Sequence, residues 1–229
     1  MKNWILSFCN LLIPRQCVVC NRILSHAERG ICTFCNINMP RTHYHLQKDN
    51  YMEKQFWGLI PVERVTAFFH YQKGNEYRRI IHALKYKGRK DVGEIMGMQI
   101  AWEIQDSGFF DGIDLIIPIP LHHKRLRNRG YNQSEWIAKG IANVSKIPIN
   151  NQAILRITHT DSQTAYSVAQ RWENIKDAFE LHWVEGLTGK HVLLVDDVLT
   201  TGATIKACAS ALSNIEGIRF SIITLGVSR

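Results

Sequence analysis

The chain has 229 residues, 45% of them apolar, a formal net charge of +8 and a pI near 9.3. That length and apolar content exclude a disordered chain and allow one sizeable core plus a small appendage. The positive balance favours an anionic partner (nucleic acid, a phosphorylated metabolite or a membrane surface), although a moderately basic protein that binds none of these has the same charge.

In chain order, the first signal is an apolar run over 4–13, broken by Ser7, Cys9 and Asn10. It is about half the ~20 residues that a membrane-spanning helix needs, and no small-residue cleavage site follows. The run therefore reads as a short amphipathic helix of a cytoplasmic protein. Cys17, Cys20, Cys32 and Cys35 then form two C-x2-C pairs with eleven residues between them. Each pair supplies two thiolates from one tight turn, and two pairs complete the tetrahedral shell that zinc prefers, leaving no position for catalysis. The spacing predicts a structural zinc ribbon; a disulfide pair or a redox C-x-x-C is the alternative. His43 and His45 read as an incidental H-x-H beside a complete ligand set, and Cys208 as a core residue.

Over 40–61 the composition turns polar and periodicity fades, which places a domain boundary. Residues 1–58 are expected to hold the N-terminal helix, ribbon and linker, and residues 59–229 the main domain. Period-2 and short apolar runs predict strands over 65–71, 114–120, 154–157, 191–198 and 220–227; helical periodicity covers 76–86, 91–105, 132–144 and 203–212. Two near-continuous apolar strands joined by helical crossovers predict an α/β fold, a parallel sheet flanked by helices on both faces. Lys85 and Lys87, at a helix end where cations complement the dipole, are assigned no chemistry.

The stretch "HVLLVDDVLTTGAT" carries the chemistry. In parallel sheets ligands gather outside the carboxyl ends of the strands, where Asp196 and Asp197 are expected to fall. Behind them Val198, Leu199, Thr200, Thr201, Gly202, Ala203 and Thr204 form a turn into a helix. Gly202 is free to take positive φ, and backbone amides at a helix start favour an anion. Carboxylates beside a phosphate site make sense if the ligand also carries a vicinal diol, because an ionised carboxylate accepts hydroxyl protons. A phosphorylated ribose meets both demands.

This stretch resembles the binding signature of type I phosphoribosyltransferases, whose ligand is phosphoribosyl pyrophosphate with magnesium. The resemblance implies that Asp196 and Asp197 hold the ribose hydroxyls and act in catalysis, while Thr200 to Thr204 cradle the 5′-phosphate. A four-cysteine ribbon, "IIHALKYKG", "IIPIPLHHKRLRNRGYNQSE" and the binding signature, in that order, resemble the competence protein F (ComF) family over nearly the whole chain. The segment 160–179 is similar to that family's mobile segment but has Val168 where a basic residue is expected, which leaves a cationic role there to Arg171. In related transferases the loop at Ile119, Pro120, Leu121 and His122 holds the pyrophosphate. Here Pro118 and Pro120 are expected to aim the amides of Ile119, Leu121 and His122 at one ligand, with Lys124, Arg125, Arg127 and Arg129 close behind, either beside the leaving group or on a solvated face. Asn132 reads as a helix cap.

Three readings stay open at this level: transfer of a phosphoribosyl group to an unknown acceptor, non-catalytic sensing of phosphoribosyl pyrophosphate, and nucleic-acid handling in DNA uptake. In the last, the basic run with Tyr131, Trp136 and Trp172 would follow single-stranded DNA, or the chain would meet a DNA-uptake protein.

Overall fold

The structure is a computed structural model and describes residues 14–72, 74–157 and 178–228. The expected helix over 4–13, Cys9, Arg171, Trp172 and most of the segment 160–179 lie outside the described residues. In chain order the elements are α1 (Thr33–Ile37), α2 (Tyr51–Lys54), β1 (Val62–His70), α3 (Arg78–Tyr86), α4 (Lys90–Ile104), β2 (Leu115–Pro118), α5 (His123–Arg129), α6 (Gln133–Ser145), β3 (Ile154–Arg156), β4 (Phe179–Leu181), β5 (His191–Leu199), α7 (Ala203–Leu212) and β6 (Arg219–Val227).

β1, β6, β5 and β2 form, in that spatial order, an all-parallel sheet. Strand alternation divides the apolar residues between its two faces. Leu193, Val195, Ile223 and Leu225 pack with Ile80, Leu84, Val92, Met96, Ile137 and Ile141 of α3, α4 and α6. Val192, Leu194, Phe220 and Ile222 pack on the other side with Ile205, Cys208 and Leu212 of α7. With both faces covered, β5 and β6 read as continuous apolar runs, as the sequence predicts. β3 and β4 form a separate antiparallel pair, so the expected strand over 154–157 is not part of the main sheet. Cys208 is fully buried, as expected of a core residue. No helix among the described residues is long and apolar enough to cross a membrane.

Helices α4 and α6 touch backbone to backbone. A Cβ on Gly97 would lie 2.2 Å from the Ile137 carbonyl oxygen, and one on Gly140 2.1 Å from that of Glu94. Glycine in a helix interior costs about 1 kcal/mol against alanine. At these two positions the close approach gives it a packing reason, and it fixes where the N-terminus of α6 meets the sheet.

The four-cysteine module is joined to the main core. Cys17, Val19, Cys32 and Cys35 share a buried cluster with α3 and α4, and the Tyr77 hydroxyl donates to the Cys35 carbonyl at 2.9 Å. The segment over 40–61, expected as a polar connector, also carries core residues: Tyr44, Met52 and Phe56 pack under the α7 face of the sheet. Its polar side chains bond inward. Asn50 caps α2 in a capping box with Glu53, and its Nδ2 donates to the Val65 carbonyl at 3.0 Å. Buried polar groups engaged with backbone look, in sequence, like surface residues. The expected boundary between residues 58 and 59 falls in the turn just before β1.

Candidate functional site

A cleft of about 910 Å³ opens at the carboxyl ends of β2 and β5. β5 delivers Asp196 and Asp197 to its floor. Asp196 accepts from the Ser134 hydroxyl at 3.0 Å and from the Asp197 amide at 2.8 Å. Burial, with the Asp197 charge beside it, pushes the Asp196 carboxyl up to about 7. Asp197 Oδ1 lies 3.0 Å from the Lys85 ammonium, brought in by the last turn of α3. Burial alone would lower the Lys85 pKa; the Asp197 carboxylate overcomes it and holds the group above its ordinary value. The adjacent acids therefore differ: one is paired with a cation, the other crowded toward neutrality.

The turn behind them follows the sequence reading in part. Gly202 sits at φ +72° as the N-cap of α7. A Cβ there would crowd Phe56 at 3.3 Å, so both the backbone angle and the space suit glycine. Val198, Thr200 and Thr204 line the cleft. The Thr201 hydroxyl accepts from the Ala203 amide at 3.4 Å and steadies the helix start. Leu199 instead points into the core and is 1% exposed.

On the β2 side, Ile119, Pro120 and Leu121 line the cleft. One expectation is corrected: the Ile119 amide donates to the Val195 carbonyl at 2.9 Å, continuing the sheet ladder, and has no hydrogen to offer a ligand. His122 is also turned inward. It is 2% exposed, and its Nδ1 accepts from the Lys124 amide at 3.3 Å as the N-cap of α5. The basic run, not expected to be helical, forms this helix and so divides by face. Arg125 and Arg129, four residues apart, reach the cleft, whereas Lys124 and Arg127 are exposed on another side. Asn132 caps α6 as expected, accepting from the Ser134 amide at 3.2 Å, and its Nδ2 also donates to the Ile119 carbonyl at 3.0 Å. Tyr131, expected to offer its ring to a strand of nucleic acid, donates its hydroxyl to the Leu84 carbonyl, and Trp136 lies under Lys90 and Lys139.

Lys85, Arg129 and Arg156 are cleft residues that sequence reasoning did not assign to the ligand or left undecided. A signal existed for Lys85: it lies four residues after Ile81 on an amphipathic helix, on the edge of the buried face. Arg156 left none, because its position depends on the pairing of β3 with β4. Among the described residues, the lining thus brings four cations (Lys85, Arg125, Arg129, Arg156) against two carboxylates (Asp196, Asp197). Such a cleft suits a ligand carrying more than one negative charge together with hydroxyls for the acids to accept.

The second site is the cysteine cluster. The sulfurs of Cys17, Cys20, Cys32 and Cys35 all lie within 4.8 Å of one another, Cys20 to Cys32 at 3.7 Å, and no disulfide joins them. A tetrahedral metal with ~2.3 Å bonds to sulfur needs sulfurs about 3.8 Å apart, so the donor set fits such an ion. Burial pushes Cys35 and Cys32 up with neighbouring thiols crowding them; Cys17 is also buried, yet backbone amides aimed at its sulfur bring it down to about 7.

A family model described as phosphoribosyl transferase domain matches residues 138–226, from within α6 to the penultimate residue of β6. Over 217 residues the chain is 28% identical to the DNA utilization protein YhgH of Escherichia coli O157:H7, covering 88% of this chain and 92% of that relative. The Salmonella typhimurium protein of the same name is 27% identical over 218 residues, with the same coverage. Competence protein F of Haemophilus influenzae is 26% identical over 211 residues, covering 87% of this chain and 91% of that protein.

Proposed function

We propose that the chain, similar over most of its length to DNA utilization proteins and to competence protein F, is a member of the competence protein F family, and that its cleft binds phosphoribosyl pyrophosphate with magnesium, in a cytoplasmic protein that acts in DNA uptake. One observation carries the ligand: paired carboxylates and a glycine turn at the end of β5 face four cations across a single cleft. Asp196 and Asp197 accept the ribose hydroxyls, and the turn from Val198 through Thr204 receives the 5′-phosphate on the amides and hydroxyls at the start of α7. Arg125, Arg129 and Arg156 lie toward the diphosphate, with Pro120 and Leu121 as its backbone wall. Lys124 and Arg171, expected beside the same group, are an exposed residue of α5 and a residue outside the described ones. As the hydroxyls arrive, Lys85 leaves Asp197 for the ligand's negative charge.

When bound with the diphosphate, magnesium would supply charge neutralisation at the leaving group. Among the described residues the cleft is lined by two carboxylates and four cations, a balance that suits a metal held mostly by its substrate. In a transfer reaction the diphosphate departs from C1 of the ribose with its bonding electrons, and the acceptor's nucleophile forms the new bond from the opposite face. Asp196 and Asp197 stabilise the positive charge that develops on the ring, and the arginines stabilise the departing anion.

The cysteine cluster is proposed to hold structural zinc, with residues 1–58 and 59–229 as the two units of the chain. The exposed Lys124 and Arg127, which the cleft does not use, favour one second reading, contact with single-stranded DNA or with a DNA-uptake partner along the outer face of α5. Calorimetry tests the main reading. Phosphoribosyl pyrophosphate with magnesium is expected to bind wild type, and Asp196→Asn with Asp197→Asn to weaken binding at least 100-fold in a folded protein. Equal affinity in the double variant would refute it.

A further inference from the structure

Among the described residues, a second group of metal-ligating side chains lies apart from both the cysteines and the cleft. His43, His45 and Glu103 each bring one ligand atom to within 4.8 Å of the other two. The histidines belong to the segment leading to β1, and Glu103 to the last turn of α4, so residues far apart in sequence converge. The H-x-H, incidental by its sequence alone, acquires a carboxylate only in the fold.

The convergence rests on a fixed frame. His43 takes a left-handed backbone, φ 52°, at the N-cap of a short 3-10 turn over Tyr44–Leu46. That angle is uncommon for a residue with a side chain. The turn is pinned on both sides: the Thr42 hydroxyl donates to the Ala67 carbonyl, and Asn50 Nδ2 donates to the Tyr44 carbonyl at 3.3 Å. Tyr44 packs edge-on against His70 with ring centroids 5.9 Å apart. His45 is 5% exposed, while His43 remains open to solvent.

Glu103 is oriented from behind. Arg41 Nε holds its Oε2 at 3.2 Å, leaving Oε1 facing His43 Nδ1 at 4.0 Å. An outer-shell partner that fixes a ligating carboxylate is a regular part of metal sites. Bonds of ~2.0–2.2 Å to nitrogen and oxygen require ligand atoms about 3.3 Å apart. Binding an ion would therefore draw these atoms closer than their present spread of up to 4.8 Å, a movement that the exposed His43 side chain is best placed to make.

We propose that His43, His45 and Glu103 form a second metal site, taking a borderline divalent transition-metal ion such as nickel or zinc and leaving an open position for water or an outside ligand. Two imidazoles and one carboxylate suit such ions rather than magnesium or calcium, whose ligands are oxygens. The site differs in kind from the cysteine cluster, whose four thiolates close the shell. A bound ion would tie the segment before β1 to α4 and raise stability by mass action.

The test uses the untagged full chain, its metal content measured first, titrated with nickel chloride by calorimetry and thermal denaturation. One nickel per chain beyond the metal already present, with a raised midpoint, is expected. His43→Ala and Glu103→Gln should each weaken that binding by at least about tenfold, the loss seen even for an outer-shell partner, and leave the metal at the cysteines in place. If Glu103→Gln disturbs folding through its pairing with Arg41, His43→Ala alone decides. No nickel bound by wild type, or the same affinity in the His43→Ala/Glu103→Gln protein (an adventitious ion only), overturns the proposal.

Discussion

The cysteine cluster and the cleft both gather groups that repel one another, but they resolve the conflict differently. In the cluster, four sulfurs from two short turns crowd within 4.8 Å and form a complete donor shell. In the cleft, two acids receive one lysine, three arginines stand nearby, and open space remains between them. The first arrangement leaves no donor position over once one ion is bound. The second keeps its charges available for a ligand that comes and goes.

Breaking the cluster should have the largest effect. Structural zinc contributes on the order of 10 kcal/mol to a small module. Cys17→Ser with Cys32→Ser is expected to abolish metal content and to unfold the N-terminal module, seen as lost metal by elemental analysis and as early proteolysis within residues 14–40. Next comes the helix crossing that sets α6 under the cleft: Gly140→Ala places a methyl against the Glu94 carbonyl and should cost about 3 kcal/mol, the upper end for overpacking, in chemical denaturation. Lys85→Ala leaves the Asp197 carboxylate without its ammonium. Because the lysine is partly exposed, the loss should be about 1–2 kcal/mol, below that of a fully buried pair.

The last effect is the most specific to the cleft. Asp196 has a folded pKa of about 7 against an ordinary 3.8. Between those values the folded state keeps a proton that the unfolded chain releases, so its contribution is present in full below pH ~4 and is lost as pH rises to about 7. Asp196→Asn keeps an oxygen to accept from Ser134 and Asp197 but cannot ionise. Measured against wild type, the variant should be relatively more stable at pH 8 than at pH 4, read from denaturation midpoints at the two pH values. A cysteine cluster closed by metal predicts the reverse sense, since protons compete with the ion at low pH.

The contrast also explains what was legible in the sequence. The cysteines, β5 and α7 were readable because their signals are local: C-x2-C spacing, an unbroken apolar run, and a glycine at a helix start. β5 ends one residue beyond the expected 198, and α7 spans the expected residues. The rest of the cleft is assembled from distant segments. The run from His123 to Arg129 hid a helix because Leu126 is its single aliphatic residue. Lys85 looked like an ordinary dipole complement until α3 was seen to deliver it to Asp197. The Ile119 amide looked available because the sheet partner that takes it, Val195, lies 76 positions away. The buried polar groups of the connector, such as Asn50, looked solvated because their partners are backbone carbonyls elsewhere in the fold.

The most direct measurement is a crystal structure of the protein with phosphoribosyl pyrophosphate and magnesium. The account predicts ribose hydroxyls on the Asp196 and Asp197 carboxylates, the 5′-phosphate at the amides of the Gly202 turn, and the Lys85 ammonium moved away from Asp197. A ligand bound elsewhere, with the 3.0 Å Lys85–Asp197 pair intact and the turn at Gly202 unoccupied, would contradict it.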